Sequence, residues 1–581
     1  MTQKISDILL GILTKSSIWF VLVIWQLLDF SNYELNLFCG NLLACLFFIL
    51  LITLITNRLP FAILLTLGIE SILNFASVIK GEFFATTLTY YDLTFLFNIY
   101  KLSGEDFVFS YLTLTFVIYS IIILCAIAYL FLKTPILFKK ASYPIRSVMI
   151  ISAILLGKLA INNVRSETSY SHKWLRETEE SNIRHCNKIY ESQNLERALC
   201  HGMGPFLDII STMAENKIRA VDFAENSEMI KQKIKVIGEN QNSSINLPNI
   251  ILVLNESTFD PSYLDYEFAK KLKYSFFDSS EYLKAKGILK VHTFGGSSSL
   301  SEFPSVTGII HDIFKGPITY PFINMAGITK SSIFKELKKL GYYSIVIYPQ
   351  DKKFINAEQA FKILGADKIV GTNDYNYKPN DWRGVSEKFI SEMIDAEIAN
   401  APKNMPVFIS VATIRNHGPH ARDEPDEIGC KNELDEIKCS KINDYIKRLQ
   451  KTDEEWMEYT RKILSGQQKT VLIHFGDHLP SFEGEMDEFK FKYADIRKQD
   501  IYRTFYNIQA NFDIKDYNYP VLDISYFPSI ILDIVEKNNS EFYKASSYMR
   551  ELCNGLFLEC GDQKNSMLES YKALMAEQLK L

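Results

Sequence analysis

The chain is expected to be an α/β protein preceded by a membrane-embedded segment, and three observations carry that expectation. Apolar runs of strand length alternate with helical patterns after Pro248, residues of metal-ligand type follow three of those runs directly, and the first 163 residues hold apolar stretches of bilayer length. At 581 residues the chain exceeds one typical domain, so two or more units are expected.

A bilayer core needs roughly 20 mostly apolar residues in helical form. Five stretches are candidates: Ile8–Leu28, Leu37–Ile55, Leu59–Ile79, Tyr111–Leu132 and the shorter Val148–Ile161. Lys15 lies inside the first, placed to snorkel. No small-residue cleavage site follows that stretch, so it is read as a span rather than a signal peptide. Lys4, Arg58 and the group Lys133, Lys139, Lys140 and Arg146 mark cytoplasmic faces, which puts the N-terminus inside and the C-terminal part outside. The loop Lys80–Ser110, with its interleaved aromatics, is either an interfacial helix or an ordinary outer connection.

Cysteine placement points the same way. Cys39, Cys45 and Cys125 fall within spans as small hydrophobes, whereas Cys186 with Cys200, Cys430 with Cys439, and Cys553 with Cys560 form local couples in the outer part. An even number outside the cytoplasm favours disulfides. A net charge of -5 without a long basic run excludes nucleic acid as a partner.

The expected division is a transmembrane domain over 1–163, a polar helical connector over 164–240 and an outer catalytic domain over 241–581. Within the last, strands are expected at Ile250–Leu254, Gly287–Val291, Tyr343–Ile347, Pro406–Ala412 and Thr470–Phe475, with helices at Ser331–Leu340, Val385–Ile398 and Lys441–Leu464 between them. That alternation predicts right-handed crossovers and a mostly parallel sheet covered on both faces.

Three of these strands run into Asn255-Glu256-Ser257, Asn416-His417-Gly418-Pro419 and Gly476-Asp477-His478. Ligands bind past the carboxyl ends of strands in open α/β sheets. Glu256, Asp477 and His478 make a mixed oxygen and nitrogen set suited to a divalent metal, zinc or manganese. Gly476 would permit the turn that brings two adjacent residues onto one metal. Between them lies His292-Thr293-Phe294-Gly295-Gly296-Ser297-Ser298-Ser299-Leu300-Ser301-Glu302-Phe303, where glycines bend the chain and a serine at a helix N-terminus offers a hydroxyl to a phosphoryl or sulfuryl group.

In this order the motifs resemble the alkaline phosphatase and sulfatase superfamily. Five spans before an outer catalytic domain resemble its bacterial phosphoethanolamine transferases and lipoteichoic acid synthase-like phosphoglycerol transferases. The resemblance implies an alkaline phosphatase-like (sulfatase) fold with Glu256, Asp477 and His478 as metal ligands and a nucleophile in the serine run. Counting back five places from Phe303 selects Ser298, with Ser297 and Ser299 as rivals. His417 matches the histidine that faces the substrate phosphate or leaving group.

Two departures bear on the head group. Where phosphoglycerol enzymes carry His, Trp and Arg, this chain has Tyr348, Ile355 and Ala357. Cys430 and Cys439, lying between His417 and the helix that follows, are more like the phosphoethanolamine branch, although cysteines flanking the nucleophile turn are absent. The implied activity is therefore transfer of phosphoethanolamine from a phospholipid donor to a surface glycolipid, lipopolysaccharide or glycan acceptor through a phospho-seryl intermediate. Alternatives are phosphoglycerol transfer and phosphodiester hydrolysis. A Cys/Ser-x-Pro-x-Arg run, which true sulfatases need, is missing from the serine turn. The implied location is the bacterial inner membrane with the catalytic domain periplasmic. His474, inside an apolar run, is expected as a core histidine and His420 as a cleft residue. Arg415, Lys352 and Lys353 are read as solvated loop charges.

Overall fold

The structure, a computed structural model, describes residues 35–84 and 218–235 and, apart from short breaks, 247–581, with residues 88 and 209 as isolated positions. The chain divides into two compact units, Met1–Asn216 and Lys217–Leu581. Of the five expected spans, the first, fourth and fifth lie outside the described residues, as do Cys186, Cys200 and the interfacial loop beyond residue 84.

In the first unit, helix α1 (Leu35–Thr56) carries no charged residue, and helix α2 (Leu59–Phe84) follows it directly. Asn57 adopts φ +57° and returns its N–H to Thr53 O at 2.7 Å, so it ends α1 in the left-handed conformation that asparagine tolerates. Ile49 packs with Ala62, Ile63 and Leu67 across the turn. Among the described residues no helix is long and apolar enough to cross a membrane.

The second unit is built on an eight-stranded sheet. Its strands are β1 (Asn249–Asn255), β2 (Leu283–Lys290), β3 (Tyr343–Tyr348), β4 (Lys368–Gly371), β5 (Val407–Ala412), β6 (Thr470–Gly476), β7 (Arg503–Ala510) and β8 (Val521–Asp523). They lie in the order β8-β2-β7-β6-β1-β5-β3-β4. Every pairing is parallel except the two made by β7. The expected mostly parallel α/β sheet is thus present, with three further strands. β4 and β8 are short, and β7 reads Arg-Thr-Phe-Tyr-Asn-Ile-Gln-Ala, whose polar residues are buried by neighbours that sequence spacing does not reveal.

Burial on both faces explains the continuous apolar runs. In β1, Ile250, Leu252 and Leu254 enter one hydrophobic core, while Ile251 and Val253 enter the other. Side chains alternate across a strand, so a central strand covered on both sides leaves few positions for polar residues. The covering elements include α3 (Glu228–Lys235), α4 (Ser299–Thr307), α5 (Ile333–Lys339), α6 (Ala357–Leu364), α7 (Glu387–Asn400) and the long α8 (Glu436–Leu464). After β8 come α9 (Phe527–Ile534), α10 (Glu541–Leu552) and α11 (Asn565–Ala576). Ser332, Ser386 and Asp435 cap α5, α7 and α8 by accepting from the N–H of the third residue onward.

Part of the segment read as a connector belongs to this unit, because α3 buries Ile230 and Ile234 in its core and Ile230 N–H donates to Ser570 Oγ at 3.0 Å. Cys430 is bonded to Cys439 and Cys553 to Cys560.

Candidate metal centre and nucleophile

β1 and β6 are adjacent and parallel, with Asn255 opposite Gly476. Their next residues, Glu256 and Asp477, therefore leave the sheet side by side. Gly476 itself is still within β6, and the turn is not what demands a glycine there: a Cβ at this position would meet Thr258 O at 1.9 Å. This corrects the expectation that Gly476 supplies the bend. At the other strand end, after β1, Ser257 takes φ +49°, a conformation costly for a residue with a side chain. Its N–H donates to Asp477 Oδ1 at 2.7 Å and its hydroxyl to Glu256 Oε1 at 2.8 Å, tying the two strand ends together.

The serine turn delivers the third part. Gly295 and Ser297 both have positive φ, Gly295 N–H reaches Leu479 O, and Ser298 stands at the N-cap of α4. Ser298 Oγ donates to Glu256 Oε2 at 2.9 Å and lies 3.4 Å from His478 Nε2. That is the serine of the run whose hydroxyl meets Glu256 and His478. Ser301 Oγ bonds to Asp477 O and fastens the first turn of α4 to the end of β6.

Glu256, Asp477 and His478 each offer a ligand atom, all within 4.8 Å of one another, and all three residues are buried. Asp477 Oδ1 accepts from Ser257 N–H and His478 N–H, whereas Oδ2 has no hydrogen-bond partner. His478 Nδ1 is 2.9 Å from Leu479 O. A proton on Nδ1 satisfies that carbonyl and leaves the Nε2 lone pair facing the carboxylates, which is the tautomer a metal ligand needs. Burial and the Glu256 charge push Asp477 up to about 7. Burial pulls His478 down, but Asp477 and Glu256 outweigh it and hold its pKa above the ordinary value. A buried carboxylate with an orphaned oxygen beside an oriented imidazole and a hydroxyl fits a divalent cation of the zinc or manganese type.

His417 lies on the loop after β5. Its Nδ1 is 2.6 Å from Gly418 O, and burial pushes its pKa down to about 4. Asn416 donates to Thr258 Oγ1, and Arg448 of α8 donates to His417 O while pairing with Asp444 at 2.6 Å. α8 thus holds this loop over the strand ends.

Several other sequence expectations change. Arg415 is no solvated charge, because it pairs internally with Glu387 and Glu455, each at 2.6 Å. Lys352 pairs with Asp374. His420 is buried with its ring edge-on to Phe482 and Tyr445. His474, as expected, is a core histidine between Phe276 and Trp456. Tyr348 donates to Glu302 Oε2 at 3.2 Å, and Glu302, pushed up to about 8 by burial and by Asp477 and Glu256, sits under the nucleophile turn. Sequence reading passed over Glu302 and Ser257 as site residues, although both lie inside the motifs it singled out.

Residues 248–536 match the Sulfatase family model, and this part of the chain is a domain of the sulfatase and alkaline phosphatase-like superfamily. The chain is accordingly an enzyme of the sulfatase-like hydrolase and transferase class. It is 24% identical over 396 residues to an uncharacterized protein of Haemophilus influenzae, a match covering 65% of this chain and 70% of that one. It is also 24% identical over 196 residues to the capsular polysaccharide biosynthesis protein RkpI of Rhizobium meliloti, where the match covers 34% of this chain and 35% of the relative. Among solved structures it is similar to the Streptococcus pyogenes phosphoglycerol transferase GacH in complex with sn-glycerol-1-phosphate. That match has a TM-score of 0.49 and 18% identity, over 62% of this chain and 96% of the other.

Proposed function

We propose that this protein is a membrane-bound, metal-dependent phosphotransferase that moves phosphoethanolamine from a phospholipid to a cell-surface lipopolysaccharide or glycan through a phospho-seryl intermediate. The observation that carries the reading is the Ser298 hydroxyl held 2.9 Å from Glu256 Oε2 and 3.4 Å from His478 Nε2, among buried groups of metal-ligand type. Glu256, Ser298, Asp477 and His478 would hold the metal, and a bound divalent cation lowers the pKa of a coordinated hydroxyl and offsets phosphoryl charge.

In the first displacement Ser298 Oγ bonds to phosphorus, the bond from phosphorus to the diacylglycerol oxygen breaks, and the serine proton is balanced by protonation of that leaving oxygen. In the second, an acceptor hydroxyl attacks the phospho-serine and restores the Ser298 hydroxyl. His417 is neutral at pH 7. With Nδ1–H given to Gly418 O, its Nε2 carries the lone pair that would accept the acceptor's proton. The N–H groups at the start of α4 favour the phosphoryl oxygens.

The bonded pairs Cys430–Cys439 and Cys553–Cys560 support an extracytoplasmic catalytic domain, which the reading places on the bacterial inner membrane. A membrane domain over 1–163 and a connector that gives way to the catalytic unit at Lys217 belong to the same proposal. Phosphoethanolamine is preferred to phosphoglycerol because the residue in place of a glycerol-phosphate histidine, Tyr348, is buried and engaged with Glu302, and Ala357 offers no charge. Mass spectrometry of surface glycolipids from membranes with wild type or Ser298→Ala tests the reading. The expected result is a phosphoethanolamine increment and diacylglycerol release, both lost in the variant on the order of a thousandfold or more. A phosphoglycerol increment would replace the donor, release of head group to water would make the protein a hydrolase, and an unimpaired variant would remove Ser298 from the mechanism.

A further inference from the structure

A second cluster of titratable side chains lies at the same end of the sheet, apart from the proposed metal ligands. His292 follows the end of β2, with its Nδ1 2.5 Å from Asp312 Oδ2 and its Nε2 3.1 Å from Asp523 Oδ2. Asp523 ends β8, is 1% exposed, and pairs in register with Lys290 of β2. Its other oxygen accepts from Ser525 N–H at 3.0 Å and from Ser525 Oγ at 2.6 Å. Asp312 lies in the short turn His311–Ile313, reached from α4 through Gly308.

The chain order gives this cluster its meaning. His292 and Asp312 stand at the two ends of residues 293–311, the segment that carries the serine turn and α4. Their contact closes the base of that segment, and Asp523 fastens the closure to the sheet. We propose that His292 is a positioning residue for the nucleophile: gripped by Asp312 and Asp523, its ring fixes both ends of segment 293–311 and so sets where Ser298 stands against Glu256 and His478. The inference rests on the reading of Ser298 as nucleophile.

The charges facing the ring are complementary. Burial pulls His292 down, but Asp523 and Asp312 outweigh it and push it up to about 10. Asp312 is opposed by burial yet held well below the carboxylate range by His292, with His311 and Lys290 adding to it. His311 Nε2 stands 4.0 Å from Asp312 Oδ1, and Tyr502 feels the Asp312 charge. The imidazolium therefore donates from both nitrogens in two charge-assisted hydrogen bonds through the neutral range, a rigid geometry that an amide side chain cannot copy. As pH rises through about 10 the proton is lost and with it one of the two bonds.

The test uses the full-length chain in detergent with bis(p-nitrophenyl) phosphate as probe, comparing wild type, Asp312→Asn, His292→Gln and Ser298→Ala. Asp312→Asn is the decisive variant because the Asp312 side chain is 38% exposed and asparagine keeps its shape. It is expected to lower kcat about tenfold to a hundredfold with KM nearly unchanged and bound metal equal to wild type. Its alkaline limb, near 10 in wild type, should move toward neutrality because one carboxylate no longer favours the imidazolium. His292→Gln should lose kcat to a similar degree and show no such limb. An Asp312→Asn enzyme with wild-type kcat and an unmoved limb overturns the proposal. So does a kcat loss that only tracks a fall in thermal midpoint with the limb unmoved, since that describes a general brace. Ser298→Ala at wild-type rate refutes the nucleophile reading instead, whatever the Asp312 variant does.

Discussion

Around His292 two carboxylates share a cation that the chain supplies, and the oxygens facing the ring lie 2.5 and 3.1 Å from its nitrogens. Around Ser298 two buried carboxylates, Glu256 and Asp477, face one imidazole, and Asp477 Oδ2 is left without a hydrogen bond. Both groups sit at the carboxyl edge of one sheet, so location does not separate them. Charge balance does. A buried charge is tolerated when it is paired, and the region where the chain leaves its own pairing incomplete is the one where a cation from outside is required.

The sharpest way to break this comparison is to neutralise one carboxylate in each region of the metal-free protein. Asp523→Asn should cost about 3–5 kcal/mol, because it removes one partner from a buried ion pair. Asp477→Asn should cost far less or stabilise, because it removes a carboxylate pushed up to about 7 by burial and by Glu256. Zinc should reverse the second result, since saturation at a hundredfold excess over Kd adds about 2.7 kcal/mol to the wild type alone. Chemical denaturation with and without zinc measures both, and equal losses in the two metal-free variants would dissolve the distinction.

A pH series sharpens it further. Asp477 has a native pKa raised from 3.8 to about 7 in the metal-free protein, so its ionisation is disfavoured by folding. Near pH 3 the wild type carries no such penalty, and stability is lost as pH rises through the interval up to 7. The stability gained by Asp477→Asn over wild type should therefore be small near pH 3, grow with pH and level off above 7. His292 has the same sign of effect in a higher window: its raised pKa contributes stability that is complete below about 6.5 and lost as pH rises through about 10. Thermal midpoints across pH 3–10 check both.

The smallest expected effect concerns Ser257, which tethers Glu256 Oε1 and whose backbone tethers Asp477 Oδ1. Ser257→Ala removes only the hydroxyl bond. It should cost about 1 kcal/mol of stability and roughly tenfold or more in metal affinity, read by competition with a chromophoric chelator.

The strands that carry Glu256, His417 and Asp477 were legible because central parallel strands buried on both faces must be mostly apolar, and β1, β5 and β6 are, with Ser410 and His474 as polar exceptions inside them. β7 was not legible, since its buried polar residues Asn507 and Gln509 make sense only beside the groups they bond, such as Phe276 O for Asn507. The cysteine couples Cys430–Cys439 and Cys553–Cys560 followed from parity and spacing, and both are bonded. Arg415 misled for a general reason: a loop arginine reads as solvated until its two glutamate partners, Glu387 and Glu455, arrive from α7 and α8.

By itself the sequence determined the alternating α/β pattern, the order of the motifs and the chemical types of the ligands, because periodicity and local residue choice are properties of neighbours along the chain. Only the tertiary structure decided that Ser298, rather than Ser297 or Ser299, reaches Glu256, that Ser257 takes a left-handed conformation after β1, and that Gly476 is needed for the approach of Thr258 O. It alone joined His292 to Asp312 and Asp523. Those outcomes depend on distances between segments far apart in the chain, and such distances are set by how strands register and helices pack.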